Sequence, residues 1–396
     1  MPALEGMRVL DMTQYEAGTS CTQLLAWLGA DVVKLEPPGR GDPGRGVGPH
    51  GSDVPSQYFL NYNSNKRSVV IDLAKEEGRD LLLDMAPHYD VFVENYGPGV
   101  IERLGLTYDE MRQRNPSIIY GRIKGFGLQG PYADYKCYDW VAQAAAGAFS
   151  VTGDRDGPPT MPGPTIADSG AGVQMALAIT AAYVQKLRTG EGQFIEVSMQ
   201  EAVTLFMRTL GLAEWGKAAA PRDGSRRGPP TDVYPCKPGG PNDYLFIMTV
   251  TTRMWDTLCA AIDRTDLLTD PRFENPWARV QHGDDLHAEI SKWTRERTKF
   301  EAMHELARAG VPCSAVLDTY DVFVDPHLQA RAFIRTVPHP TAGDVLLMGS
   351  PLRMSGSEVS IQAAPLLGEH TNDVLHTDLG LTDAQIAELR RAGAVG

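Results

Sequence analysis

Short strand-like and helix-like segments alternate through the first third of the chain, and no other feature of the sequence constrains the fold as strongly. Residues 7–12 and 31–36 are apolar runs typical of buried strands, and residues 21–28 between them have a helical pattern that ends at Gly29. Such a unit joins parallel strands, because the helix returns the chain to the edge of the sheet at which the first strand began. The pattern continues with strands at 68–73, 91–94 and 117–123 and a helix at 76–86. We therefore predict an α/β fold built on a Rossmann-like open parallel sheet.

A second domain is expected because 396 residues are more than one ordinary core holds. Residues 1–200 and 330–396 are predicted to form the large α/β domain. Residues 201–243 become rich in proline and glycine and are predicted to be a linker. Residues 244–329 combine strand patterns with three helical patterns, which predicts a smaller α+β domain.

Charge, hydropathy and cysteine usage exclude several classes of partner. The formal net charge of −13 argues against a nucleic-acid partner, because nucleic-acid-binding surfaces are basic. No apolar stretch reaches the roughly 18 residues of a membrane span, so no membrane partner is predicted. The five cysteines are scattered and never in C-x-x-C spacing, which is typical of reduced thiols in the cytoplasm. His282 and His287 lack the spacing and the third ligand of a metal site, so no metal is predicted.

Asp168 precedes the clearest helical pattern of the chain, at residues 173–187. An aspartate followed by Ser-Gly ahead of an apolar periodic run is typical of a helix start. The helix dipole and unpaired backbone N–H groups at that end are expected to hold the carboxylate ionised. An ionised carboxylate suits nucleophilic attack. The alternative, in which Asp168 is only a helix N-cap, stays open at this point.

Three common catalytic or nucleotide-binding motifs are missing from the sequence. Residues 13–18 follow the first strand without the G-x-G-x-x-G of a dinucleotide site, although Glu36 ends the second strand where such a site places its carboxylate. No phosphate-binding G-x-x-x-x-G-K-[ST] loop and no G-x-S-x-G nucleophile elbow are present. The sequence therefore argues against a dinucleotide-binding enzyme, a P-loop nucleotide-binding protein and an α/β-hydrolase.

Loops carrying Arg, Lys, Asn and Tyr follow several of the predicted strands. In an open parallel sheet, ligands bind outside the carboxyl ends of the strands. Cationic loops at that edge suit a phosphorylated ligand, and a tyrosine can cover an apolar part of it. The alternative is that these are ordinary solvated loops. The loops are 39–45, 65–67, 95–99 with Arg103, and 136–139.

Motifs along nearly the whole chain resemble those of the class III CoA-transferase family. The resemblance is closest to the formyl-CoA transferase group, and its specificity comes from the combination of motifs. They lie at residues 4–6, 28–36, 41–42, 65–68, 90–99, 125–127, 168–170, 189–193, 310–313 and 366–371.

The resemblance implies a CoA-transferase in which Asp168 is the nucleophile and carries CoA as an aspartyl thioester. Coenzyme A is then the cofactor, entering as acyl-CoA, and small carboxylic acids are the other substrates. Gly239 and Gly240 are implied to form a lid that stabilises oxyanions, and two chains are implied to interlock as a homodimer. The implied CoA site comprises Glu16, Ala17, Ile71, Asp72, Leu73, Ala74, Asn95, Tyr96, Gly97, Arg103, Lys136, Tyr138 and Asp139.

The chain departs from the formyl-CoA transferase group at two positions. Glu16 stands where that group has glutamine, and Val47 stands where it has tryptophan; the lid around Gly239 is also shorter. A roomier pocket with an added carboxylate predicts that a small or medium monocarboxylate, or a dicarboxylate whose far end points away from Glu16, is preferred over oxalate.

Two alternative functions remain at this level. One is a 2-methylacyl-CoA racemase or acyl-CoA hydrolase of the same superfamily. Racemases of this kind carry histidine where the chain has Tyr138 beside Asp139, which favours transfer. The other alternative is a CoA-binding or scaffold protein without catalysis.

Overall fold

The protein is described by a computed structural model that covers residues 1–48, 55–208, 216–225 and 228–396. The chain divides into two compact units. The first comprises 1–149, 161–219 and 331–396, and the second comprises 150–160 and 220–330.

The strands of the described residues are β1 (Arg8–Met12), β2 (Asp31–Glu36), β3 (Arg67–Val70), β4 (Val91–Glu94), β5 (Ile119–Lys124), β6 (Phe194–Ser198), β7 (Asp232–Pro235), β8 (Tyr244–Ile247), β9 (Cys313–Ala315), β10 (Ile334–His339) and β11 (Gly343–Met348). The α-helices are α1 (Ala17–Trp27), α2 (Gln57–Tyr62), α3 (Glu76–Met85), α4 (Val100–Leu104), α5 (Tyr108–Arg114), α6 (Asp139–Ala145), α7 (Asp168–Thr189), α8 (Met199–Phe206), α9 (Thr252–Ala261), α10 (Pro276–Gln281), α11 (Gly283–Thr294), α12 (Lys299–Arg308), α13 (Thr319–Val324), α14 (Pro326–Ala330), α15 (Thr371–Leu379) and α16 (Asp383–Ala392).

The first unit is built on a six-stranded parallel sheet in the order β3-β2-β1-β4-β5-β6. The predicted α/β class and parallel sheet are confirmed. The strand order runs outward in both directions from β1 and β4. The carboxyl ends of these two strands therefore form the crevice at which open parallel sheets bind ligands.

Both faces of this sheet are buried, which explains why the sequences of its central strands are largely apolar. Val9 and Val91 pack with α1 and α7 on one face, whereas Leu10 and Phe92 pack with α3 and α15 on the other. Neighbouring residues of one strand thus enter different cores, as the two-residue period of a strand requires.

Helix α7 approaches α1 closely at Gly172. A Cβ atom at this position would lie 2.0 Å from Ser20 Oγ and 2.7 Å from the carbonyl oxygen of Ala17. Only glycine fits there without displacing the backbone. This contact brings the start of α7, with Asp168, against the start of α1, which follows Glu16.

The second unit contains an antiparallel sheet in the order β7-β8-β9, packed with helices such as α9, α11 and α12 around a core of its own. Strand β7 lies inside the range 201–243, which the sequence predicted to be a linker. Residues 150–160 also join this unit, since the Gly224 N–H donates to the Gly153 carbonyl and Arg222 donates to the carbonyls of Asp154 and Gly157. Residues 209–215 and 226–227 of the predicted linker lie outside the described residues.

No helix in the described part of the chain has the length and apolar character needed to cross a membrane.

Candidate active site

A cleft of about 220 Å³ opens in the first unit at the carboxyl ends of β1, β4 and β5. Its walls come from the loops that follow these strands and from the first residues of α1, α7 and α8. Seven of the residues that the sequence predicted for the site line this cleft: Ala17, Asn95, Tyr96, Gly97, Lys136, Tyr138 and Asp168.

Asp168 is the first residue of α7, and its side chain does not cap the helix. The cap is supplied by Asp139, whose Oδ1 accepts the N–H groups of Ala167 at 2.8 Å and of Asp168 at 3.0 Å. The interpretation of Asp168 as a helix N-cap is therefore wrong. Because Asp139 satisfies the helix terminus, the carboxyl group of Asp168 is left to face the cleft.

The environment of Asp168 favours the neutral acid. Burial, then the charge of Glu16, then the charge of Asp139 raise the pKa of the Asp168 carboxyl to about 8. The expectation that the helix terminus keeps this carboxylate ionised is wrong. A helix dipole contributes only about 0.3–1 kcal/mol at most exposed sites, and burial beside two carboxylates outweighs it.

Glu16 lies behind the wall of the cleft, buried, and is tied to the segment that carries Asp168. Its Oε1 accepts the hydroxyl of Ser169 at 2.7 Å and also the hydroxyl of Thr165. Tyr62 shares a further side-chain hydrogen bond with Glu16. These bonds fix an ionisable side chain next to Asp168, directly before α1.

The loops after β1 and β4 are locked together by Asn95. Its Oδ1 accepts the Gln14 N–H and its Nδ2 donates to the Gln14 carbonyl, both at 2.9 Å. Two aromatic rings of the lining contact each other: Tyr15 and Tyr138 pack edge to face with ring centroids 6.3 Å apart. Burial raises the pKa of Tyr96 to about 12, so its hydroxyl stays protonated at neutral pH.

Comparison with known proteins gives the family. The chain matches CoA-transferase family III over residues 4–371. It is 42% identical to a formyl-CoA:oxalate CoA-transferase of Streptomyces coelicolor, over 99% of both chains. It is 40% identical to a protein of the same name from Rhodopseudomonas palustris, over 99% of this chain and 97% of the relative. The chain belongs to CoA-transferase family III.

Solved structures agree with this assignment. A CAIB/BAIF family protein from Brucella suis is 29% identical and superposes with a TM-score of 0.86, covering 95% of this chain and 99% of that one. The Rv3272 protein of Mycobacterium tuberculosis is 28% identical with a TM-score of 0.81, covering 94% and 98%. The protein is therefore an enzyme, a transferase of CoA, as the sequence predicted.

Two tyrosines of this transferase were missed by the sequence analysis. Tyr58 and Tyr62 lie on α2, with ring centroids 5.1 Å apart. Burial and then the charge of Glu16 raise the pKa of both hydroxyls, and Asp168 raises that of Tyr58 further. Both tyrosines thus belong to the environment of Asp168. Their i,i+4 spacing was the available signal, because it places two side chains on one side of a helix.

Other predicted CoA-site residues lie outside the lining of the cleft. Glu16 and Asp139 stand behind it, and Arg103 is exposed on α4, which follows the same loop as Tyr96. The segment Ile71, Asp72, Leu73 and Ala74 follows the edge strand β3 and packs against the C-terminal residues, with Ile71 bridged to Val395 and the Asp72 N–H donating to Ala394. Their roles in binding CoA stay predictions.

The two predicted lid glycines lie in the second unit. Gly239 and Gly240 stand in the hairpin between β7 and β8, where Gly239 has a φ of +100° and the Gly240 N–H donates to Asp243. Val47 is exposed in the first unit, shortly before residues that the structure leaves undescribed. The described residues contain no group of three or more His, Cys, Asp or Glu side chains able to hold a metal ion.

Proposed function

We propose that this transferase moves CoA from an acyl-CoA donor to a carboxylic acid through a covalent thioester on Asp168. One observation carries the proposal: the Asp168 carboxyl faces the cleft at the crevice of the sheet, while Asp139 satisfies the helix terminus in its place. A carboxyl group that neither caps its helix nor lies in the core is placed for chemistry.

The chemistry runs through alternating anhydrides and thioesters. The Asp168 carboxylate attacks the donor thioester, giving a mixed anhydride and a CoA thiolate. The thiolate attacks the aspartyl carbonyl, expels the donor acid and leaves an aspartyl–CoA thioester. The acceptor carboxylate attacks this thioester, forming a second anhydride and releasing the thiolate. The thiolate then attacks the acyl carbonyl, which yields the new acyl-CoA and restores the Asp168 carboxylate.

CoA is proposed to bind along the loops that surround the cleft. Lys136 and Arg103 are exposed cations suited to its phosphates, and the tyrosine rings at positions 96 and 138 suit its apolar portions. The hairpin bearing Gly239 and Gly240 is proposed to act as a lid whose closure limits hydrolysis. Its N–H groups are proposed to stabilise the oxyanions once the Gly240 N–H is released from Asp243.

The acceptor is proposed to be a small or medium monocarboxylate. Glu16 and Asp139 already place two carboxylates around Asp168, and both raise its pKa, so a doubly charged acceptor meets repulsion there. Transfer from formyl-CoA to oxalate is the second candidate, favoured by the names of the relatives with 42% and 40% identity. Competition between formate, acetate, propionate, succinate and oxalate for CoA, read by mass spectrometry, separates the two candidates. Oxalate ranking first in kcat/KM contradicts the monocarboxylate proposal and leaves transfer intact.

A homodimer is proposed from an apolar face of α7. Val173, Leu177, Val184 and Leu187 recur at helical spacing and are exposed, and Leu177 and Leu187 are 71% and 70% accessible. Such a stripe on a long helix is typical of a surface that a partner covers. The family resemblance adds the proposal that the two chains interlock.

The described cysteines are all free thiols, which supports a cytoplasmic location.

Removal of the nucleophile tests the proposed route. Asp168→Ala is expected to bind CoA as the wild type does and to lose transfer by several orders of magnitude, as removal of other covalent nucleophiles does. Asp344→Ala, at an exposed carboxylate of β11, is the matched control and should transfer normally. Transfer by Asp168→Ala within tenfold of the control would rule out Asp168 as the covalent site.

A further inference from the structure

Asp42 is a buried carboxylate beside the cleft but not part of its lining. Its Oδ2 lies 2.7 Å from the Nζ atom of Lys34, and neither side chain is accessible to solvent beyond 1%. The Asp42 N–H donates to Glu36 Oε2 at 2.9 Å, and Arg45 holds that glutamate with two nitrogens. The position of the Asp42 carboxylate is thus fixed from both its side chain and its backbone.

The other oxygen of Asp42 holds the turn that follows β1. Its Oδ1 accepts the N–H of Tyr15 at 3.1 Å and the N–H of Gly44 at 2.8 Å. Tyr15 has a φ of +59°, in the left-handed region that side chains other than glycine and asparagine rarely adopt. A residue in this conformation persists only when its surroundings enforce it.

Lys34 fixes the same turn from the opposite side. Its Nζ donates to the Thr13 carbonyl at 2.8 Å, and the Thr13 N–H donates to the buried carboxylate of Asp11. The buried pair Lys34–Asp42 therefore contacts the backbone both before and at Tyr15. Tyr15 carries its ring into the wall of the cleft that also contains Asp168, against the ring of Tyr138.

We propose that Asp42, held by Lys34, is a positioning residue for CoA binding: it enforces the left-handed conformation of Tyr15, which turns the Tyr15 ring into the cleft. The inference rests on the proposed function, in which this cleft holds the acyl-CoA. Asp42 then acts on affinity through Tyr15, whereas a merely structural ion pair acts on stability alone.

A double-mutant cycle separates these roles. Lys34→Met/Asp42→Ala removes both charges together, so that no buried charge is left unpaired. Tyr15→Gly removes the ring and adopts a positive φ freely. Dissociation constants for CoA are measured by calorimetry for the wild type, these two variants and the triple variant. Each of the two variants is expected to bind CoA about tenfold more weakly than the wild type. The triple variant should match Tyr15→Gly within about twofold, because both changes act on the same contact.

Asp378→Ala is the matched control. Asp378 is another buried carboxylate of the first unit, but it pairs with Arg8 and Tyr89 at the amino end of β1, away from the cleft. This variant should unfold at a lower temperature and keep its affinity for CoA. If Lys34→Met/Asp42→Ala does not fold, Asp42→Asn takes its place in the cycle, because its single amide oxygen cannot serve both Lys34 and Tyr15.

Three results overturn the inference. CoA affinity of the Asp42 variant within twofold of wild type, with Tyr15→Gly weakened, rejects the link between the residues while leaving the cleft as the CoA site. If the loss of CoA affinity in the triple variant equals the product of the losses in the other two variants, the two changes act independently, and the link between Asp42 and Tyr15 is again rejected. Unchanged affinity in Tyr15→Gly rejects both the inference and the proposed location of CoA.

Discussion

In the proposed mechanism, the protonation of Asp168 governs the reaction at the scale of single residues, because only the ionised carboxylate can attack a thioester. Its raised pKa, about 8, follows first from burial and then from Glu16 and Asp139. The free enzyme therefore gains reactive carboxylate as the pH rises toward and through that value. Because the charge of Glu16 contributes to the raised pKa of Asp168, a single substitution that removes this charge should lower that pKa.

Glu16→Gln is predicted to move the pH profile of transfer to lower pH. The substitution keeps the hydrogen-bonding shape of the side chain and removes the largest charge that opposes ionisation of Asp168. The rise of kcat/KM with pH, which reports groups of the free enzyme, is the measurement. An identical rise in wild type and variant contradicts the coupling.

Asp168→Asn is predicted to be more stable than the wild type at pH 8. The folded-state pKa of Asp168 lies above its ordinary value of 3.8, so the folded state holds a proton that the unfolded state releases between these values. The resulting loss of wild-type stability is absent below about pH 4, grows as the pH rises toward 8 and is then constant. The neutral amide of Asp168→Asn avoids this loss, so its free energy of unfolding at pH 8 should exceed that of the wild type by about 1–3 kcal/mol.

Denaturant unfolding of wild type and Asp168→Asn at pH 5 and pH 8 measures this gain. The difference should be larger at pH 8. A variant less stable than the wild type at that pH shows that ionisation of Asp168 does not destabilise the folded state.

At the scale of elements, the contact between α1 and α7 sets the distance from Glu16 to Asp168. Gly172→Ala is predicted to destabilise the protein by about 1–3 kcal/mol through overpacking, because its Cβ would overlap Ser20 Oγ and the Ala17 carbonyl. Transfer should fall with stability, since α7 carries Asp168, the proposed nucleophile.

Gly163→Ala is the control for this prediction, because a Cβ at position 163 meets nothing within 4 Å. Both variants are compared by thermal unfolding and by kcat. Wild-type stability and transfer in Gly172→Ala contradict the close packing of the two helices.

The elements that the sequence predicted are those with a strong local pattern. Strands β1, β2 and β4 were predictable because both of their faces are buried, so that each strand is largely a run of apolar residues. Strand β6 was missed, since it lies at the edge of the sheet and is only partly buried. Helix α7 begins five residues before its apolar run, at Asp168, because Asp139 caps it from another segment.

The candidate active site was likewise predictable only where a local sequence pattern or the family resemblance indicated it. Asp168 and the loops after β1 and β4 were predicted from helix-start chemistry, sheet geometry and the family resemblance. The hydrogen bonds of Glu16 to Thr165 and Ser169 join positions about 150 residues apart, and the position of Asp42 beneath Tyr15 depends on a buried lysine. Such contacts arise from packing across the sheet, which no local pattern encodes.

At the scale of the whole molecule, the exposed stripe of α7 is predicted to be an interface between two copies of the chain. Sedimentation at decreasing concentration should show a dimer throughout, because interlocked chains separate only by unfolding. Leu177→Lys should lower the melting temperature of the dimer, whereas Gln185→Lys, at an exposed polar position of the same helix, should leave it unchanged. A folded monomer that appears on dilution contradicts the interlocked arrangement.

Trapping of the aspartyl–CoA thioester is the direct test of the proposed covalent role of Asp168. The enzyme is mixed with an acyl-CoA donor in the absence of acceptor, treated with hydroxylamine and digested, and its peptides are identified by mass spectrometry. We predict a hydroxamate on Asp168 in the wild type and no modified peptide in Asp168→Asn. A hydroxamate on another residue, or continued transfer by Asp168→Asn without any modified peptide, would contradict the covalent role of Asp168.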